Sequence, residues 1–280
     1  MVHVGNVGSK VVKLVRTGNL GAALKNLRRA RMGHPRLLLP HPMPGDCGDS
    51  ARRINTLYRG MPAAQRYLEI GLELGFTFEH VLLPVRVGVD PYPLFDIERL
   101  PRNVSVSVAT SDEFFSVAER EISFDIVFLD GLHTYRQTYR DLINALRVCR
   151  SGVIIIDDVV PIDEVSAMPD IRESRAERKR RGLRDMPWHG DVFKVMLCLR
   201  DHHSDLRVRT IVGSGNAQAL VWRPHPAMPC PSVDDSILGE FDGVSFSDVF
   251  ADGPPDFFVP SAESDAIADA LRDVSGRFVA

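Results

Sequence analysis

The stretch "FDIVFLDGLHTYRQTYRDLINALRVCRSGVIIIDD" (residues 124–158) decides the fold. It opens on an apolar run that ends in Asp130 and closes on a second that ends in Asp157 and Asp158. Between them Tyr135, Tyr139, Leu142, Leu146 and Cys149 recur at helical spacing, which predicts an amphipathic helix over 134–150. Apolar runs without polar alternation suit central strands of a parallel sheet, covered on both faces.

Outward from this unit the pattern repeats. "RYLEIG" (66–71), "RVGVD" (86–90) and "VSVSVAT" (104–110) read as strands, and "SARRINTLYRGM" (50–61) and "DEFFSVAERE" (112–121) as helices. "DLRVRTIVGSGNAQALVWRP" (205–224) is two β-runs joined by the turn "GSGN", a hairpin signal, so the last two strands are expected to be antiparallel. The predicted class is α/β: a Rossmann-like doubly wound sheet, mostly parallel, with a C-terminal antiparallel hairpin. The expected organisation is a basic helical arm and linker (1–49), a main domain (50–227) with a basic insertion or lid at 172–189, and an acidic extension (228–280). That extension reads as loops with a final helix at 263–273.

The chain has 280 residues, 44% hydrophobic and 25% charged, with a net charge of −3. That is ordinary for a globular protein and carries no global nucleic-acid signal. The charge is uneven. Residues 1–45 hold no Asp or Glu but eight Lys and Arg, whereas 231–280 hold 11 acids and two arginines. Two solvated flanks of opposite sign explain this; the basic arm also offers a surface for anionic lipid or an acidic partner. Cys47, Cys149, Cys198 and Cys230 lack CxxC spacing and read as free thiols of a reducing compartment. No signal-peptide core and no ~18-residue apolar run is present, so the expectation is a cytoplasmic protein without a membrane span. A homo-oligomer is compatible with this composition.

"YLEIGLELGFTF" (67–78) places Gly71 and Gly75 in a turn after a strand, where backbone amides approach a ligand. Glu73 stands where a dinucleotide fingerprint has its middle glycine. About 20 residues on, Asp90 ends the next strand, where a carboxylate accepts ribose hydroxyls. Ser111 and Asp112, at the tip of the third strand, are placed to bond an adenine edge or to cap a helix. No Lys or Arg sits in the glycine turn, and Glu69 and Glu73 would repel a pyrophosphate. A cationic or zwitterionic nucleoside such as S-adenosylmethionine suits these acids better.

In an open α/β sheet ligands sit beyond the carboxyl ends of the strands. If the strands of 124–130 and 152–158 are neighbours, Asp130, Asp157 and Asp158 converge. Like charges this close raise one pKa unless a cation binds, and three oxygen ligands suit Mg²⁺ or another hard divalent ion. His133 is the candidate general base, or a residue that only hydrogen-bonds the acids. "WHGDVFK" (188–194) either brings His189, Asp191 or Lys194 to the substrate or simply starts a helix.

The run "YLEIG…GFTF…VGVDP…FDIVFLDGLHTYRQTYRDL…GVIIIDD…GDVFK" resembles the class I SAM-dependent methyltransferases of the methyltransferase 24 type, and the macrocin and other sugar O-methyltransferases. The resemblance covers roughly 65–222. It implies Glu69 and Gly71 near the methionine end of SAM, with Gly75 in the same loop. Asp90 would hold the ribose, and Ser111 and Asp112 the adenine side. It implies Asp130, Asp157 and Asp158 as metal ligands, with Asp130 also beside the cofactor and the reaction. The implied activity is Mg²⁺-dependent O-methylation of a sugar, glycolipid or natural product. Two other readings stand beside it: an NAD(P)-dependent oxidoreductase, against which the missing GxGxxG counts, and a non-catalytic interaction module, against which the crowded acids count.

Overall fold

In the computed structural model the described residues are 47–117, 122–213 and 215–278. The basic arm of the sequence reading lies almost wholly outside them. Eight strands form one sheet in the order β3-β2-β1-β4-β5-β7-β6-β8. They are β1 (Arg66–Ile70), β2 (Val85–Val89), β3 (Val104–Ser107), β4 (Ile126–Leu129), β5 (Val153–Ile156), β6 (Arg207–Ile211), β7 (Gln218–Trp222) and β8 (Pro260–Ser261). Each neighbouring pair is parallel except the two that involve β7. The expected hairpin is therefore present, and β7 alone runs against the sheet. β8 was not foreseen: two residues of the acidic tail, one of them proline, carry too little β pattern to be read as a strand.

The helices are α1 (Gly48–Arg59), α2 (Phe76–His80), α3 (Ser111–Val117), α4 (Tyr135–Val148), α5 (Ile171–Arg180), α6 (Lys194–His202), α7 (Asp235–Glu240), α8 (Phe246–Phe250) and α9 (Glu263–Val274). Residues 118–121, the end of the helix expected over 112–121, lie outside the described residues.

Period-2 alternation divides the core in two. On one face Leu68, Ile70, Val127, Leu129, Ile154 and Ile156 meet the stripe Tyr135, Tyr139, Leu142 and Leu146 of α4, with α6, α7 and α8 alongside. On the other, Tyr67, Ile126, Phe128, Val153 and Ile155 meet Ile54 and Leu57 of α1, Phe78 of α2, and Ile267 and Ala270 of α9. The β4 and β5 strands are buried on both faces, which is why they read as unbroken apolar runs. The acidic tail contributes to both clusters through Leu238, Phe250, Phe258 and Ile267. Its acids stay on the outer surfaces; Asp269, for example, pairs with Arg209 at 2.7 Å.

The basic run of α5 spends most of its charge internally. Arg178, 6% exposed, forks onto Asp163 at 2.7 and 3.0 Å. Arg180 bonds Glu177, and Arg181 bonds Glu177 and Glu164. No helix of the described residues is long and apolar enough to cross a membrane, and all four cysteines are unpaired.

Candidate active site

The β4–α4 and β5–α5 loops meet at the carboxyl edge of the sheet because β4 and β5 are adjacent and parallel. Asp130 follows β4 directly, and its N–H continues the ladder to the Ile70 carbonyl at 2.8 Å. His133 has φ 54°, Asp158 φ 61° and Glu73 φ 43°; among the described residues, three of the four non-glycine residues with positive φ thus lie in loops at this edge. Such backbone strain persists only where the surroundings hold it, and it concentrates at functional sites.

Donor atoms of Asp130, His133 and Asp158 all lie within 4.8 Å of one another. The His133 Nδ1 is 2.6 Å from Asp158 Oδ2, and its Nε2 is 3.4 Å from Asp130 Oδ1. The histidine is thus wedged between two carboxylates. Asp158 Oδ1 also accepts from Asn216 Nδ2 at 3.1 Å and has His189 Nε2 at 3.6 Å. Asp157 stands apart from this trio of donors. It is 6% exposed, and its Oδ1 takes the Gln218 amide at 3.1 Å and the N–H of Asp158 at 3.0 Å. The sequence reading grouped three aspartates; consecutive residues at a strand end point to different sides, and only one of the pair faces His133.

These charges shift each other. For Asp130, enclosure by protein is the largest influence and raises the carboxyl to about 7; the His133 charge opposes this, and Asp158 and Glu73 add to it. A third of its side chain still meets solvent, so the packed neighbours, not complete burial, produce the effect. Burial lowers His133, but the hydrogen bond to Asp158 and the Asp158, Asp130 and Asp157 charges outweigh it, to about 10. Asp157 is raised well above the carboxylate range by burial and then by Asp158.

The loop after β1 is built by glycine and by Asp90. Gly71 (φ 88°) lies so close to β4's end that a Cβ would overlap the Asp130 carbonyl. Gly75 (φ 74°) starts α2 against the Phe95 ring. Asp90 Oδ2 accepts the N–H groups of Leu72 and Glu73, both at 2.9 Å, and its Oδ1 that of Tyr92 at 2.6 Å. It therefore draws the loop onto the end of β2, and a carboxylate's roughly four acceptor sites leave room for a hydroxyl. Glu69, 2% exposed, accepts the Tyr67 hydroxyl at 2.6 Å and is raised by burial.

Ser111 and Asp112 are not the helix cap. Thr110 and Glu113 cap α3 by reciprocal bonds. Ser111 and Asp112 instead share the Gln137 amide of α4, at 3.0 and 3.1 Å. Asp191 accepts the N–H of Tyr135 at 2.7 Å and so caps α4. Lys194 binds Asp191 at 3.2 Å and the Asp242 carbonyl at 3.0 Å. These two residues of "WHGDVFK" are structural. Gly190 (φ 65°) lies against the His133 carbonyl with no room for a Cβ, and the Trp188 ring lies 5.2 Å from the His133 ring. Asn216, Gln218 and Trp188 were missed as site residues. The first belongs to a turn whose composition signals only a turn, and nothing local marks the other two.

The residues fit both absent groups. Two converging carboxylates with an imidazole suit a divalent cation. A loop with Glu69, Glu73 and Asp90 and no basic residue suits a cationic nucleoside.

Residues 63–159, about a third of the chain, match the family described as a methyltransferase domain. No curated protein matches the chain. Among solved structures, one similar chain is a cofactor-bound protein from MTB, at 18% identity over 78% of this chain and 96% of that one, TM-score 0.45. Another is an O-methyltransferase from Bacillus cereus in complex with SAH, at 17% identity over 72% and 90%, TM-score 0.43. A third is the O-methyltransferase TomG from Streptomyces achromogenes, involved in tomaymycin synthesis and in complex with SAM, at 17% identity over 80% and 99%, TM-score 0.43.

Proposed function

We propose that this protein, whose residues 63–159 match a methyltransferase domain, is a class I SAM-dependent methyltransferase that methylates a hydroxyl oxygen of a small molecule: a sugar, glycolipid or natural product. The observation that carries the choice of oxygen is the dyad of His133 and Asp158 at 2.6 Å, beside Asp130 and the glycine loop. A hydroxyl must lose its proton as it attacks the methyl carbon, and this site offers a held base at that point.

Asp158 accepts the Nδ1 proton of His133, so once Nε2 has lost its own proton its lone pair faces the same side as Asp130. Nε2 takes the acceptor proton. The strained backbone of residues 133 and 158 fixes the distance between base and acid. Glu69, Gly71 and Gly75 shape the methionine end of the cofactor site, Asp90 offers the ribose an acceptor, and Ser111 and Asp112 flank the adenine side. Asp130 and Asp158 would hold a divalent cation such as Mg²⁺, with Asp157 behind them. When bound, SAM supplies the methyl group, and the cation lowers the acceptor's pKa. Positive charge near Asp130 and Asp158 also weakens their hold on the imidazole proton, which otherwise keeps His133 charged.

Calorimetric titration with SAM and with NAD, in Mg²⁺ and in EDTA, tests the reading. SAM binding is expected and NAD binding is not; the reverse sinks it. Methyl transfer from labelled SAM to catechol and methyl glycosides then tests the hydroxyl as acceptor.

A further inference from the structure

We infer that Asn216 is a positioning residue that orients Asp158 and, through it, the His133 imidazole, and that its own position is set by an ion pair between α1 and α9. The inference rests on the His133–Asp158 dyad described above.

The β6–β7 turn reaches the dyad through sheet register. The β5–β7 ladder ends at Ile156 opposite Ala219, and Val159 N then donates to the Ala217 carbonyl at 3.2 Å. The two chains thus run on together, and residues 157–158 lie beside 216–218. Two amide side chains face the two acids. Gln218, fully buried, donates to Asp157 Oδ1 at 3.1 Å and to Ser50 Oγ at 2.7 Å. Asn216 donates to Asp158 Oδ1 at 3.1 Å.

The turn that carries Asn216 is clamped from behind. Its carbonyl accepts from Arg53 Nη1 at 2.8 Å, and Arg53 is fully buried in α1. Arg53 Nε in turn reaches Glu263 Oε2 at 2.9 Å, in the first turn of α9. Gly215 (φ 59°) lies against the Asp49 carboxylate with no room for a Cβ. A charge pair across two helices therefore fixes the backbone from which the Asn216 amide projects.

Asp158 has little else to set its direction. Its side chain is 5% exposed, so water does not orient it. Oδ2 is committed to His133, and the other neighbour of Oδ1, His189 Nε2, stands at 3.6 Å, beyond hydrogen-bond reach. The His189 Nδ1 is itself without a hydrogen-bond partner among the described residues, so no hydrogen bond orients that buried ring. Without the Asn216 donor the carboxylate is free to turn about its Cβ–Cγ bond, and the imidazole that depends on it turns too. Groups that aim a base must themselves be held.

The test uses the full chain with ¹⁵N-labelled histidine. The hydrogen-bonded Nδ1 proton of His133 is expected at low field, assigned by its loss in His133→Ala. Asn216→Ala and Asn216→Asp should both lose or shift it. The Asp variant keeps the shape of Asn and the carbonyl bonded to Arg53 but adds a charge beside Asp158, so the uncharged Ala variant decides whether the donor is needed. Both variants showing the wild-type resonance overturns the inference. With catechol or a methyl glycoside as acceptor, Asn216→Ala should lower kcat about 10- to 100-fold with KM for SAM unchanged; wild-type kcat also overturns it. A wild-type chain that transfers no methyl group defeats the proposed function alone, because the resonance needs no acceptor.

Discussion

The backbones of Gly71 and Asp130 close on each other so tightly that a Cβ on Gly71 would overlap the Asp130 carbonyl oxygen. This contact locks the glycine loop after β1 to the loop after β4, and so ties the cofactor side of the site to the acid side. Gly71→Ala must both adopt φ 88° and push the two loops apart. The left-handed backbone alone costs a residue with a Cβ about 1–2 kcal/mol. A lowered Tm and at least ~10-fold weaker SAM binding, or about 1.4 kcal/mol, are expected by calorimetry. Unchanged SAM affinity would show that the loop does not hold the cofactor.

In the proposed mechanism His133 acts on the acceptor proton and not on SAM. His133→Ala is expected to lower kcat by roughly 10²- to 10⁴-fold, the usual worth of a general base. The dissociation constant for SAM should stay as in the wild type. Full turnover by His133→Ala would reduce this histidine to a spacer between two acids.

Asp90 gathers three backbone N–H groups, and in the proposed site it also accepts from the ribose. Asp90→Ala removes all of these acceptors at once. SAM affinity should fall by about 10- to 100-fold, or roughly 1.4–2.8 kcal/mol. Asp90→Asn, which keeps an acceptor oxygen, should lose less; equal losses would argue that charge alone matters there.

The carboxylates around His133 predict a metal requirement. Methyl transfer should stop in EDTA and return with added Mg²⁺, and Asp158→Ala should abolish the return. Turnover that ignores EDTA would remove the cation from the mechanism.

Glu263 carries the acid sensitivity of the α1–α9 contact. Hydrogen bonds from Arg52, and then from Arg53, hold its carboxyl down at about 2, against an ordinary glutamate value of 4.5. Because the folded value is the lower one, the contact is fully stabilising above pH 4.5 and is lost as pH falls towards 2. Glu263→Gln should flatten the dependence of Tm on pH across that window. Glu263→Ala leaves the fully buried Arg53 without its carboxylate and should cost roughly 3–5 kcal/mol by denaturant titration. An unchanged acid limb in Glu263→Gln would assign it to other carboxylates.

Much of the architecture is legible because its signals are local. The double-sided burial of Ile126–Leu129 and Val153–Ile156 appears as unbroken apolar runs, and the α4 stripe as a helical repeat. The "GSGN" turn announces its hairpin. The weak points are equally physical. Pro260–Ser261 forms a strand only because Thr210 and Ile211 are there to pair with it. Ser111 reads as an adenine contact or a cap, and Thr110 one residue earlier takes the cap while Ser111 bonds Gln137. "WHGDVFK" reads either as a substrate segment or as a helix start, and the sequence does not show that Asp191 accepts the N–H of Tyr135 and so starts α4 instead.

By itself the sequence determined that a doubly wound sheet would deliver Asp130, Asp157 and Asp158 to one edge with His133 close by, because strand and helix periods are set by neighbouring residues. Only the tertiary structure decided which acid faces the histidine. Asp158 turns to His133 while Asp157 turns to Gln218, and an amide 58 residues away, on Asn216, completes the arrangement. That pairing depends on β5–β7 register and on a clamp between α1 and α9, which bring together side chains that no local pattern relates.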